Sequence, residues 1–287
     1  MISDIPFYTE KKDFGDIDFL IISDLNDRKK WIQETFKPKE IYHNSNVFSF
    51  DYDGVQIDFI FSKKEEFAIS LYYFAFNDLG NLIGRVYHKM GLSFGHDGLK
   101  LILRDKSYVI AETILSRNID EILEFGGYNV ERYHKGFDSL ESIFEYVVSS
   151  PYYAYEIFDL DNRNYRARVR DRKRKTYTEF LKWAEQRDQT RDYQWGNNKA
   201  AWLPSILLKF NKLEWFNEEM LKHKRRIELK EKFNGDIVSE VTKLQDKELG
   251  SFIASFRKVY KDSDLEKMSE QAIKNAIQEF FDKWDSQ

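Results

Sequence analysis

Gly15-Asp16-Ile17-Asp18-Phe19-Leu20-Ile21-Ile22-Ser23 is the stretch on which the fold turns. From Asp16 to Ser23 it is short, apolar and Ile-rich behind a glycine, which predicts a β-strand. Side chains alternate along a strand, so Asp16 and Asp18 fall on one face. Adjacent carboxylates repel unless a cation or a proton lies between them. Gly15 allows close approach by a ligand or another backbone segment.

Downstream, Val47 to Tyr52 (VFSFDY) and Val55 to Phe61 (VQIDFIF) flank Asp53-Gly54. Two β-rich runs around Asp-Gly predict a hairpin. Asp58 stands mid-strand among apolar neighbours, where a charge needs a partner. Three carboxylates on neighbouring strands make an oxygen-rich site suited to Mg²⁺ or Mn²⁺. Two such ions can activate an attacking hydroxyl and stabilise a leaving oxygen. Spacing alone leaves a second reading open, with Asp16 and Asp18 at a wet strand edge and Asp58 on the solvent face of a hairpin.

Helices are expected over Asp27 to Phe36, Glu65 to Phe76 and Asn81 to Met90, and a second hairpin around Arg104 to Ser107. Ile119 to Phe125 and Ser139 to Val148 read as short helices parted by Gly126-Gly127. Ser149-Ser150-Pro151 has the composition of a boundary. Beyond it the chain reads as helical and charge-rich. Asp264 to Trp284 reads as one helix capped by Ser263, with Leu265, Met268, Ala272, Ala276, Phe280 and Trp284 as its packing stripe. The expectation is an α+β catalytic domain over residues 1–149, a mixed sheet with flanking helices, followed by a mainly helical nucleic-acid-binding domain over 150–287.

The chain has 287 residues and no cysteine, so disulfides and thiolate metal sites are excluded. No basic segment leads into an apolar run near Met1, and no apolar stretch approaches the ~20 residues of a membrane helix. A soluble, cytoplasmic protein is the expectation. The net charge of -4 does not announce a nucleic-acid partner. Hydrophobic residues at 42% supply a packed core, and the 24 Phe and 17 Tyr supply either that core or stacking surfaces.

The aspartate pattern resembles a known family. Gly15-Asp16-Ile17-Asp18-Phe19-Leu20 is similar to the GDhDhL element of polymerase beta-like (family X) nucleotidyltransferases, and Val55-Gln56-Ile57-Asp58 to the strand carrying their third aspartate. Tyr73-Phe74 falls where that family opens its YFTGS segment, and Asn81 and Arg85 fall where it has an asparagine and an arginine near the nascent base pair. The similarity spans about residues 7 to 105. It implies that Asp16, Asp18 and Asp58 are the catalytic, metal-binding residues, holding two Mg²⁺ or Mn²⁺ ions, with Asp58 facing the 3′-hydroxyl. Tyr73 and Phe74 would border the sugar, Asn81 the incoming base, and Arg85 the base pair or the substrate strand.

Two departures bear on that reading. Where the family has a Gly-Ser pair for the triphosphate, this chain has Ile5-Pro6, so Lys11 and Lys12 compensate or triphosphate binding is altered. Ala75-Phe76-Asn77 replaces Thr-Gly-Ser. Towards the C terminus, Phe233-Asn234-Gly235-Asp236-Ile237-Val238 and Lys247-Glu248-Leu249-Gly250-Ser251-Phe252-Ile253 resemble, weakly, the helical tail of CCA-adding enzymes and bacterial poly(A) polymerases.

Arg163, Arg166, Arg168, Arg170, Arg172, Lys173, Arg174 and Lys175 are opposed within their own stretch only by Asp171, with Tyr165 and Tyr177 nearby. Arginines neutralise phosphates and stack on bases, and aromatics extend the stacking surface, so this is a candidate nucleic-acid footprint. A solvated helix face is the alternative. Lys222 to Arg226 alternates with glutamates further on and reads as an exposed helix.

No GxxxxGK loop, GxGxxG fingerprint, HExxH or GxSxG motif occurs. The expected activity is transfer of a nucleotide from NTP or dNTP to a nucleic-acid 3′-hydroxyl with pyrophosphate release. A tRNA-like or other RNA end is the first acceptor and a DNA end the second. A non-catalytic nucleic-acid binder on a degenerate palm is the competing class.

Overall fold

The computed structural model describes every residue except 188, 191, 197, 198 and 285–287. Two compact units are formed, Met1–Phe210 and Asn211–Gln287. The α+β character expected from the sequence is what the chain adopts.

The first sheet comprises β1 (Ile2–Asp4), β2 (Asp16–Ile22), β3 (Ile41–Asn44), β4 (Val47–Tyr52) and β5 (Val55–Ser62), in the order β1-β2-β5-β4-β3. Only β2 and β5 run parallel. The Asp-Gly hairpin joins β4 to β5, with both turn residues at positive φ (Asp53 52°, Gly54 80°). That is the two-residue geometry whose twist suits antiparallel strands, and glycine adopts it without a Cβ clash.

Alternation sorts the sheet's two faces. Ile57, Phe59 and Phe61 of β5 are buried with Ile21, Phe48 and Phe50, and α1 (Arg28–Phe36) contributes Ile32 and Trp31 to this core. Asp27 caps α1, its carboxylate accepting from the Lys30 N–H at 2.9 Å. The intervening positions of β2 and β5, the aspartates among them, lie on the opposite face.

After β5 come α2 (Phe67–Phe74), α3 (Leu79–Lys89) and a three-stranded antiparallel sheet of β6 (Leu92–Gly95), β7 (Gly98–Asp105) and β8 (Tyr108–Ser116). Gly80 sits where a Cβ would lie 2.2 Å from the Tyr73 carbonyl oxygen, so only glycine lets α3 start this close to α2. Next are α4 (Ile119–Phe125), α5 (Val130–Lys135) and α6 (Leu140–Val148), the last with a reciprocal cap between Ser139 and Ser142.

The Ser149-Ser150-Pro151 turn, expected to separate domains, lies inside the first unit. The buried Ser150 hydroxyl donates to the Gly126 carbonyl at 2.7 Å. The helices that follow, α7 (Tyr165–Arg172), α8 (Lys175–Glu185) and α9 (Leu203–Lys209), belong to this unit as well.

The second unit holds α10 (Leu213–Lys232), α11 (Gly235–Thr242), α12 (Asp246–Val259), α13 (Asp262–Leu265) and α14 (Glu270–Trp284). Its core gathers Phe233, Val238, Phe252, Phe256, Leu265, Ile273 and Ile277. The single helix expected from Asp264 is broken: α13 ends at Leu265, and the Ser269 hydroxyl accepts from the Ala272 N–H at 3.2 Å to begin α14. Ser263 lies within α13 and caps nothing. Of the expected stripe, Leu265, Met268, Ala276, Phe280 and Trp284 pack in this core and Ala272 does not, while Ile273 and Ile277 join it. No helix among the described residues is long and apolar enough to cross a membrane.

Candidate metal centre and arginine cluster

Parallel pairing sets Asp18 of β2 in register with Asp58 of β5, and Asp16 with Gln56. Carboxylate oxygens of Asp16, Asp18 and Asp58 come within 4.8 Å of one another, and all three side chains are half-buried. The Gln56 amide donates to Asp58 Oδ1 at 3.0 Å, which fixes the orientation of that carboxylate. Burial first, and then the charges of Asp16 and Asp58, push the Asp18 carboxyl up to about 6 against the opposing pull of Lys11. Bringing three carboxylates together at this depth is costly without a cation. Their hard oxygen donors fit Mg²⁺ or Mn²⁺.

Asp16 and Asp18 line a cleft of about 650 Å³, and Asp58 adjoins them in the carboxylate cluster. Lys11 lines the cleft, its ammonium 4.6 Å from the centre of the Phe14 ring. Lys12 is exposed and does not line it. Phe14 meets Phe7 edge-on at 4.7 Å, and both rings are nearly half exposed on the cleft wall. Phe74, stacked on His96, and Asn77 complete the far side. Gly15 precedes the aspartates with open space where a Cβ would be.

Two backbone features shape the cleft. The Ile5 N–H donates to the Asp18 carbonyl at 3.3 Å, and the Pro6 carbonyl accepts from the Phe76 N–H at 2.7 Å. The second bond ties the entry loop to the turn between α2 and α3. There Phe76 and Asn77 both take positive φ (56° and 60°). Asparagine tolerates that conformation; phenylalanine does so here because its buried ring packs on Phe137 at 4.9 Å and Tyr133 at 5.8 Å. Phe7, Phe14 and Asn77 were not singled out by the sequence. Phe7 and Phe14 reach the cleft only because the loop between β1 and β2 folds back.

The remaining expected site residues lie elsewhere. Tyr73 packs edge-on against Phe94 at 5.2 Å, and with Asn81 and Arg85 lines a second, smaller pocket of about 190 Å³. Asn81 Oδ1 accepts from Arg85 Nη2 at 3.0 Å, and the same nitrogen reaches Asp171 Oδ2 at 3.3 Å.

Asp171, fully buried, anchors the basic stretch. It pairs with Arg85, with Arg163 at 3.2 Å and with Arg170 at 2.9 Å. Burial and the neighbouring Arg163 push the Arg85 guanidinium down to about 10. Arg174 is paired with Asp78, Arg168 with Asp161 at 3.7 Å, and Lys175 with Glu179 at 4.0 Å. Arg166, Arg172 and Lys173 are exposed. The run of positive charge is thus part structural hub and part surface. No protein-family model matches the chain, and no curated protein shows significant similarity to it.

Proposed function

We propose that the aspartate cleft is the active site of a metal-dependent nucleotidyltransferase that adds nucleotides from NTP or dNTP to the 3′-hydroxyl of a nucleic acid, preferably RNA. The observation that carries this reading is the convergence of Asp16, Asp18 and Asp58 on one sheet face, with Asp16 and Asp18 on the wall of a cleft large enough for a nucleotide. The resemblance of the Gly15–Leu20 and Val55–Asp58 segments to polymerase beta-like enzymes gives the reaction class. Exposed Arg166, Arg172 and Lys173 support a nucleic-acid partner.

Mg²⁺ or Mn²⁺, when bound, would supply Lewis-acid stabilisation of the attacking and leaving oxygens. Asp16 and Asp18 would hold the ions from one strand and Asp58 from its neighbour. Asp58, steadied by Gln56, would face the attacking hydroxyl and accept its proton. The 3′-oxygen would bond to the α-phosphorus as the bond to the pyrophosphate oxygen breaks. Lys11 would offer positive charge to the phosphates, and the Phe7 and Phe14 rings a stacking surface to the base.

A second reading, a nucleic-acid binder without catalysis, is favoured by one specific observation. The Ile5 N–H is already bonded to Asp18 and Pro6 has no N–H, so this segment offers no backbone donors to a triphosphate. An extension assay separates the two. The protein is incubated with labelled tRNA, single-stranded RNA or primed DNA, each nucleotide in turn, and Mg²⁺ or Mn²⁺. Extension abolished by Asp16→Asn and by Asp58→Asn supports the enzyme. Binding of all three acceptors without extension of any supports the binder.

A further inference from the structure

The arginine cluster around Asp171 holds more positive charge than its carboxylate can balance. Arg85, Arg163 and Arg170 share one aspartate, and the pocket beside them is lined by Tyr73, Asn81, Arg85, Ser93 and Arg170. The Arg85 side chain is only 10% exposed, and its Nε has no hydrogen-bond partner among the described residues. The buried Nδ2 of Asn81 is unpartnered as well. Two buried donors left unmade on residues that line one small pocket are costly, and buried polar groups are as a rule satisfied.

The chemistry of a suitable ligand follows. It must accept several hydrogen bonds at once, carry negative charge and fit a pocket of about 190 Å³. Guanidinium groups present planar forks that match phosphate oxygens. Arg170 lines the pocket with its side chain 53% exposed, so it can turn onto an anion held there beside Arg85 and Asn81. A carboxylate ligand would supply fewer acceptor oxygens than this donor set can use. Tyr73 lines this pocket, and its sequence neighbour Phe74 lines the aspartate cleft.

We propose that the pocket between α3 and α7 binds a phosphate group, separately from the metal cleft. The site does not depend on the nucleotidyltransferase reading, because none of the three aspartates lines it. The phosphate is either a free anion or part of a nucleic acid, and the oligonucleotides used below distinguish these sources.

The test titrates inorganic phosphate into the full chain at constant ionic strength, with chelator present to keep divalent ions from the aspartates. Wild type, Arg170→Ala, Asn81→Ala and Asp16→Asn are compared by calorimetry, with circular dichroism confirming that each is folded. Saturable binding by wild type and Asp16→Asn, weakened about ten-fold or more in Arg170→Ala and Asn81→Ala, is the expected result. A single-stranded oligonucleotide with a 5′-phosphate is then compared with its 5′-hydroxyl counterpart. Preference for the former that disappears in Arg170→Ala assigns a terminal phosphate; equal binding, weakened in that variant, assigns a backbone phosphate. Absence of saturable phosphate binding by wild type, or equal affinity in wild type and both pocket variants, overturns the proposal. Loss of phosphate binding in Asp16→Asn would also overturn it, since binding would then belong to the metal cleft.

Discussion

Asp18 and Asp58 face each other across the parallel pairing of β2 with β5, and register brings their carboxylates together. Burial of Asp18, and then the charges of Asp16 and Asp58, give this arrangement a cost that depends on pH. Asp18 titrates at about 6 in the folded chain, against an ordinary value of 3.8. Between those values the folded state binds more protons than the unfolded one. Stability is therefore lost as pH rises from about 4 to 6, and the penalty is complete above that window.

In chelator, Asp18→Asn should accordingly stabilise the protein by about 1–3 kcal/mol at pH 7.5 and change it little at pH 4. Mn²⁺ should raise the melting temperature of wild type and leave that of Asp18→Asn unmoved. Urea unfolding at the two pH values and melting with and without Mn²⁺ check both statements. An Asp18→Asn protein less stable than wild type at pH 7.5 would contradict the first. Equal Mn²⁺ shifts in both proteins would contradict the second.

The approach of α3 to α2 yields a second expectation. An alanine at Gly80 would put its Cβ 2.2 Å from the Tyr73 carbonyl oxygen and 2.9 Å from Cδ2 of its ring. Backbone cannot yield cheaply, so Gly80→Ala should cost at least about 1–3 kcal/mol. It should also displace Tyr73 and Phe74, one on the wall of each pocket, and so weaken Mn²⁺-dependent activity and phosphate binding together. Gly84→Ala, whose Cβ would meet nothing closer than 3.9 Å, is the control for stability, though not for phosphate binding, because Gly84 lines that pocket. Wild-type stability in Gly80→Ala would show that the helices slide freely.

These relationships differ in how far the sequence disclosed them. Asp16, Asp18 and Asp58 were legible because alternation along a strand is a local rule, and Asp53-Gly54 fixed the hairpin that carries the third. Strand β3 was not, since Tyr42, His43 and Asn44 are exposed and give no apolar alternation. The break before α14 was masked because Leu265 and Met268 continue the helical spacing across it. Asp171 read as a lone acid in a basic run, whereas its role is set by Arg85, 86 positions away in the chain. Ion pairs at that separation leave no periodic trace.

Asp171 is where the greatest single loss of stability is expected in the first unit. Its side chain is fully buried, and removing it strands Arg85 and Arg163, which are 10% and 11% exposed. Breaking one side of a buried ion pair costs about 3–5 kcal/mol because the other charge remains. Asp171→Ala should lose that much in urea unfolding. Asp161→Ala, which breaks the exposed pair to Arg168, should leave the midpoint where it is. Similar midpoints for the two variants would mean that water reaches the arginines and that the hub is not buried in solution.

The exposed part of the basic stretch is tested by salt rather than by stability. Arg166, Arg172 and Lys173 are at the surface, whereas Arg163 is held by Asp171 and the Tyr177 hydroxyl, at 3.2 and 3.3 Å. If the three exposed cations contact phosphates, each releases counterions on binding single-stranded RNA. Replacing all three with alanine should flatten the dependence of log affinity on log salt by about 2, at roughly 0.7 per contact. The unfolding midpoint should stay the same, since none of the three carries a buried pair. Affinities measured between 50 and 200 mM salt, about the range over which the effect is steep, give the slope directly. A slope equal to that of wild type would make this surface an ordinary solvated helix face. It would leave the phosphate pocket, rather than the surface of α7, as the place where the arginines of this stretch meet a nucleic acid.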